Sequence, residues 1–321
     1  MRMLILGGSV FLSRSIAGQA IAAGHDVTCA SRGKSGTAPA GTTFVQLDRS
    51  VGLDPLADQT FDAVVDVSSN PDHVREAVKA LAGRVGHWTY VSSVSAYADQ
   101  SVPGQLAHQT PLHDPDDEGY GPNKVACEEA VRGSGVPALI CRAGLIVGPG
   151  DAIPRFSYWP LRLAKGGEVL VPGEPERLVQ YVDVADLSSW LVRSVLEGQT
   201  GTFDGTGPAR PFGELLTEIA EGVGSNAKLT WVDHDFLLDR GVEPWAGPHS
   251  LPLWVWREYA GMLSRDTTPA IAAGLTVRSA AETARTTLDW WHGQKTEPTL
   301  AAGLTPEEET TLLRAWHTRN H

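Results

Sequence analysis

The feature that most constrains this chain is a series of short apolar runs in its first half, separated by turns and helical patterns. RMLIL (2–6), DVTCAS (26–31), TTFVQLD (42–48), FDAVVDVS (61–68) and HWTYVSSV (87–94) read as strands, and PALICRAGLIVG (137–148) opens as a sixth. Helical patterns follow the first strand, through Ile16, Ala20 and Ile21 to Gly24, then the fourth (73–83) and the fifth (core 124–131). Strands that are apolar on both sides need cover on both faces, which a parallel sheet wrapped by crossover helices supplies. The expected fold is α/β, a doubly wound parallel sheet.

After Gly150 the strand–helix alternation breaks down and prolines accumulate. A smaller, partly irregular C-terminal lobe is expected. Residues 1–150 make the sheet domain and 179–206 return to it, while 151–178 and 207–321 form mainly a substrate-binding lobe. Of the ten tryptophans, only Trp88 lies before this boundary. The rest either face a ligand or fill a small core.

A formal charge of −12 leaves no basic face for a phosphate backbone, so nucleic acid is not an expected partner. No apolar run reaches membrane-spanning length, and residues 1–7 lead into a strand, not a signal peptide. Cys29, Cys127 and Cys141 form no CxxC pair and read as small buried hydrophobes, which suits a reducing, cytoplasmic compartment. The ten histidines include no HxH or HxxxH spacing, so no metal site is expected.

The first strand runs into GGSVFLSR (7–14), a turn of the kind that cradles a dinucleotide pyrophosphate at a helix N-terminus. Gly7 takes the sharp bend, Val10 stands where the backbone would approach pyrophosphate, and Ser13 where helix meets strand. Gly8, Ser9, Phe11 and Leu12 complete the cofactor turn, and Arg14 either reaches the pyrophosphate or faces water. The second strand ends in Arg32 and Lys34, where an NAD site carries an acid. A cation pair there suits the 2′-phosphate of NADP, or is simply solvated; NAD stays possible. Asp48 ends the third strand, as an adenine ligand or an ordinary cap.

YVSSVSAY (90–97) and YGPNK (120–124) supply the chemistry. Tyr120 and Lys124 stand four apart at a helix start, hence on one face. An ammonium near a phenol favours phenolate, making Tyr120 a usable acid or base. Ser93 ends the fifth strand at the carboxyl edge, where its hydroxyl would polarise a carbonyl and orient Tyr120.

These segments resemble the extended short-chain dehydrogenase/reductase family, often called NAD-dependent epimerase/dehydratase. RAGLIVGPGD (142–151), VQYVDVADL (179–187), GTFDGTGP (201–208) and TPAIAAGLTVRSAAETARTTLDWW (268–291) are similar to its later segments. The turn is similar to a branch reading GGTxFxGR, in which the middle glycine is absent and whose members include plastid RNA-binding proteins. The resemblance implies a Rossmann-type fold with Tyr120, Lys124 and Ser93 catalytic, Lys124 lowering the Tyr120 pKa. It implies a homodimer packed through the helices at 73–83 and 124–131. Arg155 or Arg162 would bind an anionic group, and Trp245 and Trp254, in the loop EPWAGPHSLPLWVW (243–256), would contact an apolar substrate.

The leading expectation is an NADP-dependent reductase acting on the carbonyl of a small metabolite. A nucleotide-sugar epimerase is the alternative; a dehydratase is disfavoured because Val94 and Ser95 stand where an acidic pair would follow Ser93. A non-catalytic dinucleotide sensor or RNA-associated protein is the reading from another class.

Overall fold

The computed structural model describes residues 1–319. Its centre is a parallel sheet of seven strands. Six are β1 (Arg2–Leu6), β2 (Asp26–Ser31), β3 (Thr43–Gln46), β4 (Phe61–Asp66), β5 (Val85–Ser93) and β6 (Ala138–Ala143); Gly201–Gly205 is the seventh. The order is Gly201–Gly205, β6, β5, β4, β1, β2, β3. Every neighbouring pair is parallel.

Alternation along each strand divides the core in two. Met3, Ile5, Val27, Val65 and Leu139 face one side, against Leu12, Ile16 and Ala20 of α1 (Phe11–Ala22) and Leu187, Trp190 and Leu191 of a helix at Val184–Leu196. Leu4, Leu6, Val64, Trp88 and Ile140 face the other, against Val74 and Ala77 of α2 (Pro71–Ala80) and Cys127 and Val131 of α3 (Tyr120–Gly133). Each such side chain contributes about 1.5–3 kcal/mol on burial, which fixes the sheet between two helical layers.

Between β2 and β3 no helix intervenes. Residues 32–42 cross irregularly, and Gly36 packs so tightly on the Ser9 carbonyl that a Cβ there would overlap it.

The lobe has its own core. Glu168–Pro172 pairs in parallel with Lys228–Val232, and the helices Tyr158–Ala164, Phe212–Gly222 and Ala280–His292 pack around them. Trp159 meets Phe212 edge-on at 5.3 Å inside it. Four of the nine late tryptophans fill cores. Trp159, Trp190, Trp254 and Trp291 are buried. Ala270 and Leu275, well into the C-terminal part, pack instead on the central sheet beside α1.

No described helix is long and apolar enough to cross a membrane. Among the described residues, no group of three or more acidic, histidine or cysteine side chains could hold a metal.

Candidate active site

In this strand order the chain leaves β1 in one direction, toward β2 and β3, and later in the other, toward β4, β5 and β6. The carboxyl ends of β1 and β4 therefore part, leaving a crevice. Gly7 and Gly8 turn into it with φ of 134° and 88°. A Cβ on Gly8 would overlap the Cys29 thiol on β2, so the backbone approaches β2 as only glycine allows. Val10, the extended residue before α1, makes no side-chain cap, and the first N–H groups of the helix stay open to an anion. A pyrophosphate fits this cradle.

Ser13 replaces the glycine expected where helix meets strand. Its buried hydroxyl donates to the Val10 carbonyl at 2.9 Å, so the extra atoms tie the turn together. α1 keeps Leu12, Ile16 and Ala20 in the core. Arg14 is exposed, and its Nε donates to the Thr37 carbonyl at 3.1 Å, fastening the 32–42 crossover over the turn. Arg32 and Lys34 are exposed at the end of β2. Their charges reach Asp48, whose carboxyl is held low mainly by the Ser50 hydroxyl and amide, at 2.6 and 3.1 Å.

α3 starts abruptly. Gly119 has φ 131°, and a Cβ on Gly121 would overlap the Ser95 carbonyl. Pro122 sits in the first turn, where its missing N–H costs nothing. This close contact brings Tyr120 to the end of β5. Ser93 Oγ accepts the Ser95 N–H at 3.1 Å and faces the Tyr120 hydroxyl, leaving its own O–H to donate. Ser92 points the other way, donating at 2.5 Å to the buried Glu128, which Arg142 also clasps at 2.9 and 2.7 Å. Strand register thus gives the cleft Ser93 and the core Ser92.

Tyr120 stands 55% exposed at the mouth of the crevice, though the protein around its hydroxyl raises its pKa above the usual phenol value; Ser93 and Arg155 work against that rise. Lys124 is held by backbone carbonyls. Its buried Nζ donates to the carbonyls of Val91 (2.7 Å), Ser68 (3.0 Å) and Val67 (3.4 Å), and lies 5.9 Å from the Tyr120 ring. The nearby Asp66 carboxylate is already clasped by Arg49 at 2.9 and 2.7 Å. With carbonyls as its hydrogen-bond partners, burial pushes the Lys124 ammonium down to about 8. The cation whose field opposes the Tyr120 rise here is Arg155.

Arg155 lies 4.4 Å over the Trp245 ring, and its buried Nε has no partner among the described residues. Asp151, in the same segment, accepts the Ile153 N–H at 2.9 Å, and burial pushes its carboxyl up to about 6. Arg162 is spent on structure, bound to Glu309 and to the carbonyls of Gly166 and Glu168. Trp254 is buried, its indole N–H donating to His234 Nδ1 at 2.8 Å.

One group escaped the sequence reading. A cavity of about 270 Å³ in the lobe is lined by Arg177, Arg257, His234, Trp254, Trp256 and Leu178, with Pro103 from the segment between β5 and α3. Arg177 donates one terminal nitrogen to the Leu253 carbonyl at 2.7 Å; Nε and the other terminal nitrogen are buried without partners among the described residues. Burial pushes this guanidinium down to about 10. The signal was one basic residue two positions ahead of VQYVDVADL.

An open parallel sheet with a glycine turn at its switch point, and serine, tyrosine and lysine grouped beside it, defines a short-chain dehydrogenase/reductase fold. Residues 3–203 match the model of the NAD dependent epimerase/dehydratase family, and the chain belongs to that family. It is an enzyme, with a nicotinamide dinucleotide as its cofactor. No protein of curated function matches the chain. Solved structures resemble it in fold. UDP-N-acetylglucosamine 4-epimerase from Bacillus cereus is 16% identical with a TM-score of 0.69, over 93% of this chain and 99% of that one. The Bordetella bronchiseptica enzyme WbmH, in complex with NAD+, is 19% identical with a TM-score of 0.67, over 92% and 99%. UDP-glucose 4-epimerase from Thermotoga maritima, with UDP-glucose, is 17% identical with a TM-score of 0.64, over 91% and 99%.

Proposed function

We propose that the enzyme inverts a carbinol carbon of a nucleotide-linked sugar, by oxidation followed by re-reduction. The observation that carries this reading is Arg177, a buried guanidinium with two open nitrogens beside Arg257 in a cavity walled by Trp254 and Trp256. Glu174 lines the same cavity and its charge reaches Arg177, but no salt bridge joins them among the described residues; a buried cation held so loosely is costly unless a ligand supplies the anion, and a diphosphate is an anion that two arginines suit. Tryptophan walls suit the flat base attached to it. UDP-glucose, the ligand of the Thermotoga structure, belongs to this class.

When bound, the nicotinamide ring takes up and returns a hydride. Gly7, Gly8 and the N-terminus of α1 would hold its pyrophosphate. Tyr120 takes the proton from the sugar hydroxyl and gives it back, and the free O–H of Ser93 donates to the same oxygen. The positions after Ser93 are Val94 and Ser95, so no acid stands there to expel a neighbouring hydroxyl as water. That favours epimerisation over dehydration.

Arg32 and Lys34 favour a second reading, reduction of a free carbonyl with NADPH. The two readings separate on freshly purified protein. Denaturation that releases near-stoichiometric nicotinamide nucleotide, together with exchange of UDP-glucose and UDP-galactose followed by proton NMR, supports the epimerase. Cofactor-free protein that consumes NADPH with a carbonyl substrate, and leaves nucleotide sugars unchanged, overturns it. Tyr120→Phe abolishes turnover under either reading.

A further inference from the structure

Leu253 and Trp254 set two groups of the Arg177 cavity at once. The left-handed Leu253 (φ 61°) turns its carbonyl to Arg177 at 2.7 Å, and the indole N–H of Trp254 donates to His234 Nδ1 at 2.8 Å. An indole N–H can only donate, so Nδ1 is the acceptor and the neutral imidazole carries its proton on Nε2. The Trp254 bond is the one hydrogen bond that the His234 side chain makes among the described residues. Its Nε2–H is therefore free for the cavity that His234 lines. The ring also meets Trp254 and Trp256 edge-on, with centroids 5.0 and 6.3 Å away. Its charge state is held too, since protonation would set an Nδ1–H against the indole N–H. Burial, Arg257 and Arg177 disfavour the imidazolium, Asp235 and Glu174 favour it, and the balance lies below the ordinary histidine value.

We propose that His234, oriented by Trp254, reads the base of the nucleotide by donating Nε2–H to a base carbonyl, so that the cavity takes uracil or thymine in preference to cytosine. This rests on the reading of the cavity as a nucleotide subsite. Arg177 and Arg257 answer the charge of a diphosphate there. A fixed, neutral donor set against two tryptophans suits the uncharged edge of a flat base instead. Uracil and thymine present a carbonyl where cytosine presents an amino group, itself a donor. Two donors facing each other leave both unpaired, and that penalty is what discriminates between the bases.

The test titrates uridine diphosphate and cytidine diphosphate into the whole protein by calorimetry. The parent should bind the uridine nucleotide more tightly. His234→Phe should weaken it about 5-fold and leave the cytidine nucleotide unchanged, which also shows that the variant is folded. His234→Gln should restore the preference, because its amide offers an acceptor to the indole and a donor to the cavity, as the imidazole does. Nitrogen-15 NMR, with the His234 signals identified by their loss in His234→Gln, should show a protonated Nε2 and a bare Nδ1. Trp254→Phe should then show mixed tautomers. A proton on Nδ1 in the parent overturns the proposal, as does unchanged uridine diphosphate binding in His234→Phe. Equal loss for the two nucleotides in folded His234→Phe also overturns it, and moves His234 to the diphosphate. If neither nucleotide binds the parent, the nucleotide reading of the cavity itself falls, a result distinct from all of these.

Discussion

Arg177 donates to the carbonyl of Leu253 at 2.7 Å, and Leu253 stands in the left-handed region with φ 61°. Trp245 is also left-handed and also meets an arginine, though by stacking under Arg155 and not through its carbonyl. The third non-glycine residue in this region, Phe11 at φ 38°, opens α1 at the glycine turn. Strain of this kind persists only where surrounding structure over-determines it. Here two of the three stand beside arginines with buried nitrogens that lack partners among the described residues, and the third opens α1.

Arg177 costs stability in the free protein, since burial strips its guanidinium of water and leaves two nitrogens unpaired. Arg177→Met is expected to unfold at the same temperature as the parent or higher, because an apolar chain of similar length removes an uncompensated charge. The protection that uridine diphosphate gives the parent in thermal unfolding should vanish in the variant. Early unfolding of Arg177→Met would make the guanidinium a structural group and remove the main support for a diphosphate subsite.

Asp151 makes stability depend on pH with a definite sign. Its carboxyl is raised from the ordinary 3.8 to about 6, so between those values the folded protein holds a proton that the unfolded chain has lost. Stability therefore falls as pH rises through this window, and the cost is fully present above it. Asp151→Asn should be more stable than the parent by about 2 kcal/mol near pH 7.5, less than the full shift implies because Arg155 loses its acid partner. Urea unfolding near pH 4 should show the advantage gone. An advantage that does not depend on pH would mean that Asp151 is not the titrating group.

The fold was legible because the sheet is built from local signals. RMLIL, DVTCAS and the others are apolar on both faces, and their helices carry the matching stripe. The grouping of Ser93, Tyr120 and Lys124 was legible for the same reason: Tyr120 and Lys124 share one helix turn, and Ser93 ends a strand. What Lys124 does with its charge was not legible, because the carbonyls that occupy it come from β4 and β5, more than thirty positions away. Nor was the Arg177 cavity, which joins residues near 103, 177, 234 and 256 that no local spacing relates. The missing β2–β3 helix was written in the three glycines and the proline of RGKSGTAPAG (32–41), which favour an irregular crossover.

Under the NADPH reading, Arg32 and Lys34 would meet the cofactor's 2′-phosphate. Both are exposed beside the carboxylate of Asp48, so they are held close without being neutralised in a buried pair. Arg32→Ala is expected to weaken NADPH binding about 10-fold and leave NADH binding unchanged, measured by fluorescence titration. Equal loss for both nucleotides, or none for NADPH, would show that the pair is ordinary solvated charge.

Ser92 and Ser93 are adjacent, yet alanine should affect them in opposite ways. Ser92 is buried and donates to Glu128, whose carboxylate burial would raise and whose partners Arg142, Ser92 and Arg132 hold below its ordinary value. Ser92→Ala removes one donor from a buried anion and should cost about 1–2 kcal/mol in urea unfolding, with turnover largely kept. Ser93 is half-buried at the strand end and spends only its acceptor side on the Ser95 N–H. Ser93→Ala should leave stability within about 0.5 kcal/mol of the parent and lower kcat by about 10²-fold, since the O–H that would polarise the reacting oxygen is gone. If Ser92→Ala instead loses turnover while Ser93→Ala keeps it, the reacting oxygen lies on the other face of β5, and the crevice described here is not the site of chemistry.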